Sequence, residues 1–308
     1  MVTLNPSFQS ALTAAAAAAG GQHYPVGALY AVATPVGNLA DISLRALHLL
    51  GLVDAVACED TRHTAALLQA YGVQRPLLAV HQHNEAEAAE QVVQRLQRGE
   101  RVAYVSDAGT PGISDPGARL CSAVQQAGLR CVPLPGASSV TALVSVAGLQ
   151  TDGQDAAFEF TGFLPAKGAD RDRALQRLAG QAQACVLLEA PHRIESLARD
   201  LARLGPRRLT VGRELTKQFE EVTTLACADW PAWLAADANR RKGEFALVLH
   251  PLPPQAASEG LPAEAQRVLA LLLAELPVKT AARLCADITG ASKNALYQAA
   301  LALKAGDH

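Results

Sequence analysis

The chain has 308 residues, half of them hydrophobic, with 27 lysines and arginines against 29 aspartates and glutamates. That length holds two domain cores at about 100 to 200 residues each, and a formal net charge of −2 excludes a protein that grips nucleic acid by global basicity, though not one that uses local basic patches. Six scattered cysteines with neither a CxxC pair nor a His/Cys cluster give no zinc site and read as reduced thiols of a cytoplasmic protein, and no apolar run approaches the roughly 20 residues that span a bilayer.

Residues 1–26 include the run Ala14–Ala19, yet the first positive charge is Arg45. A secretory leader needs a positive n-region, so this segment is expected to be a weakly ordered extension. From residue 27 to 150 a short apolar run, a polar turn and a helical-period segment alternate five times, with strand candidates LYAVATP, DAVACED, LLAVHQHN, RVAYVSDAG and RCVPLPG. Parallel strands need crossovers of this length, so the pattern predicts a mostly parallel, doubly wound α/β sheet. Residues 151–252 open with TDGQDAA and FEFTGFLP and continue through ACVLLEAP, RLTVGREL, EEVTTLACA and EFALVLHP. Some of these strands follow one another without a helix between them, which predicts a second, mixed α/β domain. After the spacer PLPPQAASEGLP, residues 262–308 read as a helical extension containing a helix, a short Gly-containing turn and a helix. Such a pair either reads nucleic acid or packs on its own domain or a dimer partner.

Polar and special-backbone residues gather where the five strands end: Thr34, Pro35, Gly37 and Asn38; Glu59 and Asp60; His81, His83 and Asn84; Asp107; Gly136 and Ser138. In open α/β sheets the carboxyl ends of the strands form the ligand crevice, so these clusters are expected to converge. The loop SDAGTPGISDPG, residues 106–117, is the densest of them, and its glycines and prolines allow main-chain groups to approach a ligand closely. There is no GxxxxGK[ST] loop, no GxGxxG after the first strand and no HExxH or EF-hand pattern, which disfavours nucleotide triphosphate, dinucleotide and metal chemistry.

The segments VATPVGNLADISLRAL, CEDTRHTAALL, HQHNE, VSDAGTPGISDPG, PLPGASSVTAL, FTGFLP, APHRIESLARDL, GRELTKQFEEV and GEFALVL occur in that order. Together they resemble the tetrapyrrole methylase superfamily, and within it the branch that methylates 16S rRNA. The resemblance implies two α/β domains with S-adenosylmethionine in the cleft between them, a homodimer, and methyl transfer to the ribose 2′-OH of a cytidine in the decoding region of the small ribosomal subunit. It places Pro35, Gly37, Ser106, Asp107, Ala108, Ile113, Ser138, Ser139, Leu188 and Ala246 at the cofactor. A base would help a ribose hydroxyl attack, and the candidates are Glu59, Asp60 and Glu85. Arg62, Asn84, Arg193 and Lys217 are the candidates for holding RNA, with AKGADRDR and NRRK as outer basic patches.

Plainer readings stand beside these. Asp60 also suits a helix N-cap, and Arg193 and Lys217 also suit ion pairs with Glu189, Glu214 or Glu220. Two other functions remain open at this level: methylation of a tetrapyrrole or other small acceptor, and a non-catalytic ribosome-assembly protein that keeps the fold. Against the family pattern, Leu188 stands where an aromatic residue is usual before Glu189, and the alanine-rich N-terminus is extra.

Overall fold

The computed structural model describes residues 6–81, 84–114, 117–151, 154–252 and 263–305. Residues 1–251 form one compact unit and residues 252–308 another.

The first unit opens with a helix rather than a loose extension. Helix α1 (Pro6–Ala19) lays Phe8, Ala11, Leu12, Ala15 and Ala19 along one side, the 3.6-residue period of an apolar stripe. Ala15 is fully buried, and the Phe8 ring meets Tyr71 edge-on at 5.2 Å. The expectation of weak order fails because the stripe is built mostly of alanine, whose low contrast with its neighbours hides the period, while its helix propensity is the highest of all residues.

Strands β1 (Ala28–Val32), β2 (Ala55–Cys58), β3 (Leu77–Ala79), β4 (Val102–Val105) and β5 (Arg130–Leu134) make an all-parallel sheet in the order β3-β2-β4-β1-β5. Its crossovers are α2 (Leu44–Leu52), α3 (Thr61–Ala70), α4 (Glu85–Gln97) and α5 (Ala118–Gln126), as the alternating sequence predicts. The central strands β2 and β4 are buried at every residue, which both faces covered by helices require. Pro133 sits in β5, an edge strand, where a missing N–H does no harm to the ladder.

Helix α6 (Ser139–Ala147) and a small ladder, β6 (Gln150–Thr151) with β7 (Gln154–Asp155), lead to the second sheet. Its strands β8 (Phe158–Phe163), β9 (Ala184–Glu189), β10 (Arg208–Arg213), β11 (Glu221–Ala226) and β12 (Phe245–Leu249) lie in the order β11-β10-β12-β9-β8. Only β8 and β9 run parallel, so the sheet is mixed, as expected. Helices α7 (Ala169–Gly180), α8 (Ile194–Ala202) and α9 (Trp230–Ala236) cover one face, α8 through Ile194, Leu197, Ala198 and Leu201 at helical spacing. The other face receives α6: Val140, Leu143 and Ala147 pack with Val186, Ala246 and Val248 in one apolar cluster. A helix that follows the first sheet thus completes the core of the second.

The C-terminal unit is α10 (Ala263–Glu275), α11 (Val278–Thr289) and α12 (Lys293–Ala305) around Leu269, Ala281, Cys285, Leu296 and Ala300. Gly290 at φ +70 ends α11 in the left-handed conformation, giving the helix, turn and helix read from the sequence.

Candidate active site

Hydrogen bonds tie four strand ends together. Thr34 exchanges two main-chain bonds with Gly109, 2.9 and 3.1 Å, joining the loops after β1 and β4. Thr110 Oγ1 donates to Ala137 O at 3.0 Å, joining the loop after β5, and the Asp60 N–H donates to Asp107 Oδ1 at 3.2 Å, joining the end of β2. Gly109 has φ +80, and a Cβ there would come to 3.1 Å of Val36 Cγ1, so both conformation and space favour glycine. The fifth end, at edge strand β3, closes on itself: Asn84 accepts from the His81 N–H and donates to Ala79 O. His83 and the Asp115–Pro116 part of the glycine-rich loop lie outside the described residues.

Above these loops is a cleft of about 440 Å³, within the size range of small-molecule sites. Of the expected cofactor residues, Asp107, Ala108, Ile113, Ser138, Ser139, Leu188 and Ala246 line it. Pro35, Gly37 and Ser106 lie outside the lining. Ser106 is buried behind it, its hydroxyl donating toward Ala108 O at 3.2 Å, and Pro35 is buried too. Ser138 caps α6 without a side-chain hydrogen bond to the helix, and Ser138, Ser139 and Val140, which open the helix, line the cleft.

The second sheet supplies the opposite wall. Leu188 and Ala246 are paired neighbours on β9 and β12, and Phe163, Glu189, Leu215 and Glu244 join them. These last four were not named from the sequence as site residues; FTGFLP, ACVLLEAP, RELTK and GEFALVL were the segments that contained them.

The loop after β10 is held in a costly form: Glu214 and Thr216 have φ of 50 and 68, values that non-glycine residues rarely adopt. Lys217 donates to Glu214 at 2.8 Å and to Glu244 at 3.2 Å. Its stem covers Gly37 so closely that a Cβ there has no room, which explains the glycine. Burial opposes ionisation of Glu214, but hydrogen bonds from Lys217 and the Glu244 N–H outweigh it and hold its pKa below the usual value.

The other expected residues are placed as follows. Asp60 is the N-cap of α3, accepting from the Arg62 and His63 N–H groups, and hydrogen bonds from the Arg62 side chain and main chain hold its pKa at about 2. A carboxylate with so little proton affinity is a weak base. Glu59 is half-buried beside it at the end of β2. Glu85 is 7 % exposed, pairs with Arg119 at 3.5 Å and lines a separate pocket between α4 and α5. Arg62 is largely exposed, whereas the Arg193 guanidinium is spent internally on Glu189, Leu164 O and Pro165 O. The basic patches are less free than their sequence suggests: Arg171 is buried against Asp200, Arg240 pairs with Glu221 and stacks 4.3 Å over Trp233, and Arg241 pairs with Glu195. Among the described residues no cluster of metal-ligating side chains is present and no helix is long and apolar enough to cross a membrane.

Residues 28–229 match the family described as Tetrapyrrole (Corrin/Porphyrin) Methylases, and residues 259–304 match the RsmI C-terminal HTH domain. The chain is 49% identical to "Ribosomal RNA small subunit methyltransferase I" of Pseudomonas aeruginosa, over 89% of this chain and 97% of that one. It is 47% identical to the protein of the same name from Escherichia coli O157:H7, over 89% and 95%. Among solved structures, a diphthine synthase matches with TM-score 0.55 at 15% identity, covering 72% of this chain and 90% of that one. A cobalt precorrin-4 methyltransferase matches with TM-score 0.52 at 18% identity, covering 74% and 98%. At such identities these two structures speak to the fold.

Proposed function

Because the chain belongs to the tetrapyrrole methylase family, in its ribosomal RNA small subunit methyltransferase I group, we propose that it transfers a methyl group from S-adenosylmethionine to the ribose 2′-OH of a cytidine in the decoding region of 16S rRNA. The observation that carries the reading on this chain is the cleft walled by both sheets, with Asp107 and the start of α6, which has no side-chain cap, on one side and, on the other, Leu188, Leu215 and Ala246 beside Glu189 and Glu244. That arrangement fits the cofactor's chemistry. Asp107 attracts its positive charge, the N–H groups opening α6 donate to its carboxylate, and Leu188, Leu215 and Ala246 enclose its apolar parts.

When bound, S-adenosylmethionine supplies an activated methyl group on a sulfonium whose leaving group is a neutral thioether, so no acid is needed. The protein's part is alignment and exclusion of water, which can lower the barrier by several kcal/mol. The anchored Asp107, fixed by the Asp60 N–H, keeps one wall in place. For removal of the hydroxyl proton the candidates are Glu59, Asp60 and Glu85, and the low proton affinity of Asp60 makes it the weakest base where its pairing with Arg62 persists. Arg62, the most exposed of the four candidate RNA contacts, serves a phosphate best; Asn84, Arg193 and Lys217 shape the loops around it. The same reading makes the protein a cytoplasmic homodimer acting on the small subunit.

The test combines purified protein, labelled S-adenosylmethionine and small subunits from cells lacking this enzyme, followed by nuclease mapping. Label on one decoding-region ribose, abolished by Asp107→Leu, is the expected result. Cofactor binding without transfer to subunits or naked 16S rRNA would overturn it.

A further inference from the structure

Phe163 is 52% exposed, yet it lines the cleft. A singly exposed apolar side chain is ordinary on a protein surface; what sets this one apart is the backbone device that turns it. Strand β8 pairs regularly with β9 through Phe158↔Ala184, Glu159↔Cys185 and Phe160↔Val186, and then the register slips, so that Gly162 faces Leu187 and Phe163 faces Leu188. Without the slip Phe163 would stand opposite Glu189. A one-residue change of register moves a side chain to the other face of a sheet. The two faces differ here, since Cys185 and Leu187 belong to the core under α8 whereas Val186 belongs to the α6 cluster and Leu188 packs against it. The bulge therefore carries Phe163 from the core side to the cleft side. Gly162 makes the bulge with φ +69. Bulges are rare between parallel strands and recur where a side chain must be re-aimed beside a site.

We infer that Phe163 is the stacking platform for a nucleobase of the acceptor RNA, at or beside the methylated nucleotide. This rests on the rRNA reading above. Three features favour the acceptor over the cofactor. Phe163 stands on an edge strand, it remains half exposed, and the buried part of the apolar wall is already supplied by Leu215, Phe245 and Ala246. Aromatic side chains are scarce in this chain, and among the described residues Phe163 is the exposed aromatic of the cleft lining. Unstacked bases of single-stranded RNA are held on such faces.

The experiment compares full-length wild type with Phe163→Ala, Phe163→Leu and Phe163→Tyr, measuring S-adenosylmethionine binding by calorimetry and steady-state methylation of small subunits. In Phe163→Ala, cofactor affinity is expected to stay within about twofold while kcat/KM for subunits falls roughly 5- to 150-fold, mostly through KM, the range of one base–aromatic stack. Phe163→Tyr restores it. Phe163→Leu, which keeps the apolar bulk and so controls for folding, does not. Loss of cofactor binding in Phe163→Ala would overturn the assignment in favour of the cofactor's adenine, and a fully active Phe163→Leu would reduce the residue to an apolar rim. If wild type itself transfers nothing to subunits, the rRNA reading fails; if wild type transfers and Phe163→Ala matches it, the stacking assignment alone fails.

Discussion

Asp107, Gly109 and Thr110 bind three different loops within four residues, so the glycine-rich segment works as a knot between strand ends as much as a ligand surface. A second local arrangement contributes to acid sensitivity. His250 follows β12, is 4 % exposed, and sets its Nε2 2.8 Å from Thr210 Oγ1; burial, with Arg208 and Arg207 nearby, pushes its pKa from 6.5 down to about 4. Between those values the unfolded chain binds more protons at this group than the folded one, so the stability linked to neutral His250 is fully present above about pH 6.5 and is lost as pH falls toward about 4. Thermal melts across that window are expected to show a falling Tm, and His250→Asn to flatten part of the slope. The residues legible in the sequence that line the cleft from the first sheet's side include short side chains at strand ends, Asp107, Ala108, Ser138 and Ser139, whereas Pro35 and Gly37 lie outside the lining. Phe163, Glu189 and Glu244 were not legible, because their place depends on a register slip and on how two sheets meet. Arg193 and Lys217 were legible only as alternatives, phosphate grip or ion pair, since charge alone does not say which partner is nearer; the folded chain gives both internal partners.

At the scale of elements, the strands and crossovers of both sheets followed from alternation of apolar runs with helical periods, and the mixed character of the second from adjacent strands lacking a helix. Helix α1 escaped because an alanine stripe carries little contrast. Helix α6 was recognised as the helix of the fifth strand–helix unit, but its period does not say which sheet it covers. Leu143, fully buried, touches that question directly: a Cβ on Gly212 of β10 would come to 2.7 Å of Leu143 Cδ1. Leu143→Ala removes packing from a cluster drawn from β9 and β12 and is expected to cost about 2–5 kcal/mol. Urea denaturation measures it; a loss below about 1 kcal/mol would mean that the site collapses around the missing side chain or that α6 is peripheral to the second sheet's stability.

At the scale of the molecule, every cleft residue lies between Val36 and Ala246, inside the unit that ends at Pro251, while the C-terminal helices enclose a core of their own. A variant ending at Pro251 is therefore expected to unfold cooperatively and to bind S-adenosylmethionine as the full chain does, by thermal melt and calorimetry; failure to bind would tie the C-terminal helices to the site. Within the first unit α6 has two duties, since its opening turn borders the cleft and its body fills the core of the second sheet. A movement of the second wall would therefore carry α6 with it, because the helix fills the core of that sheet. Ile113 and Phe163, both exposed on the cleft lining, are thus the apolar side chains that an entering ligand is expected to meet first.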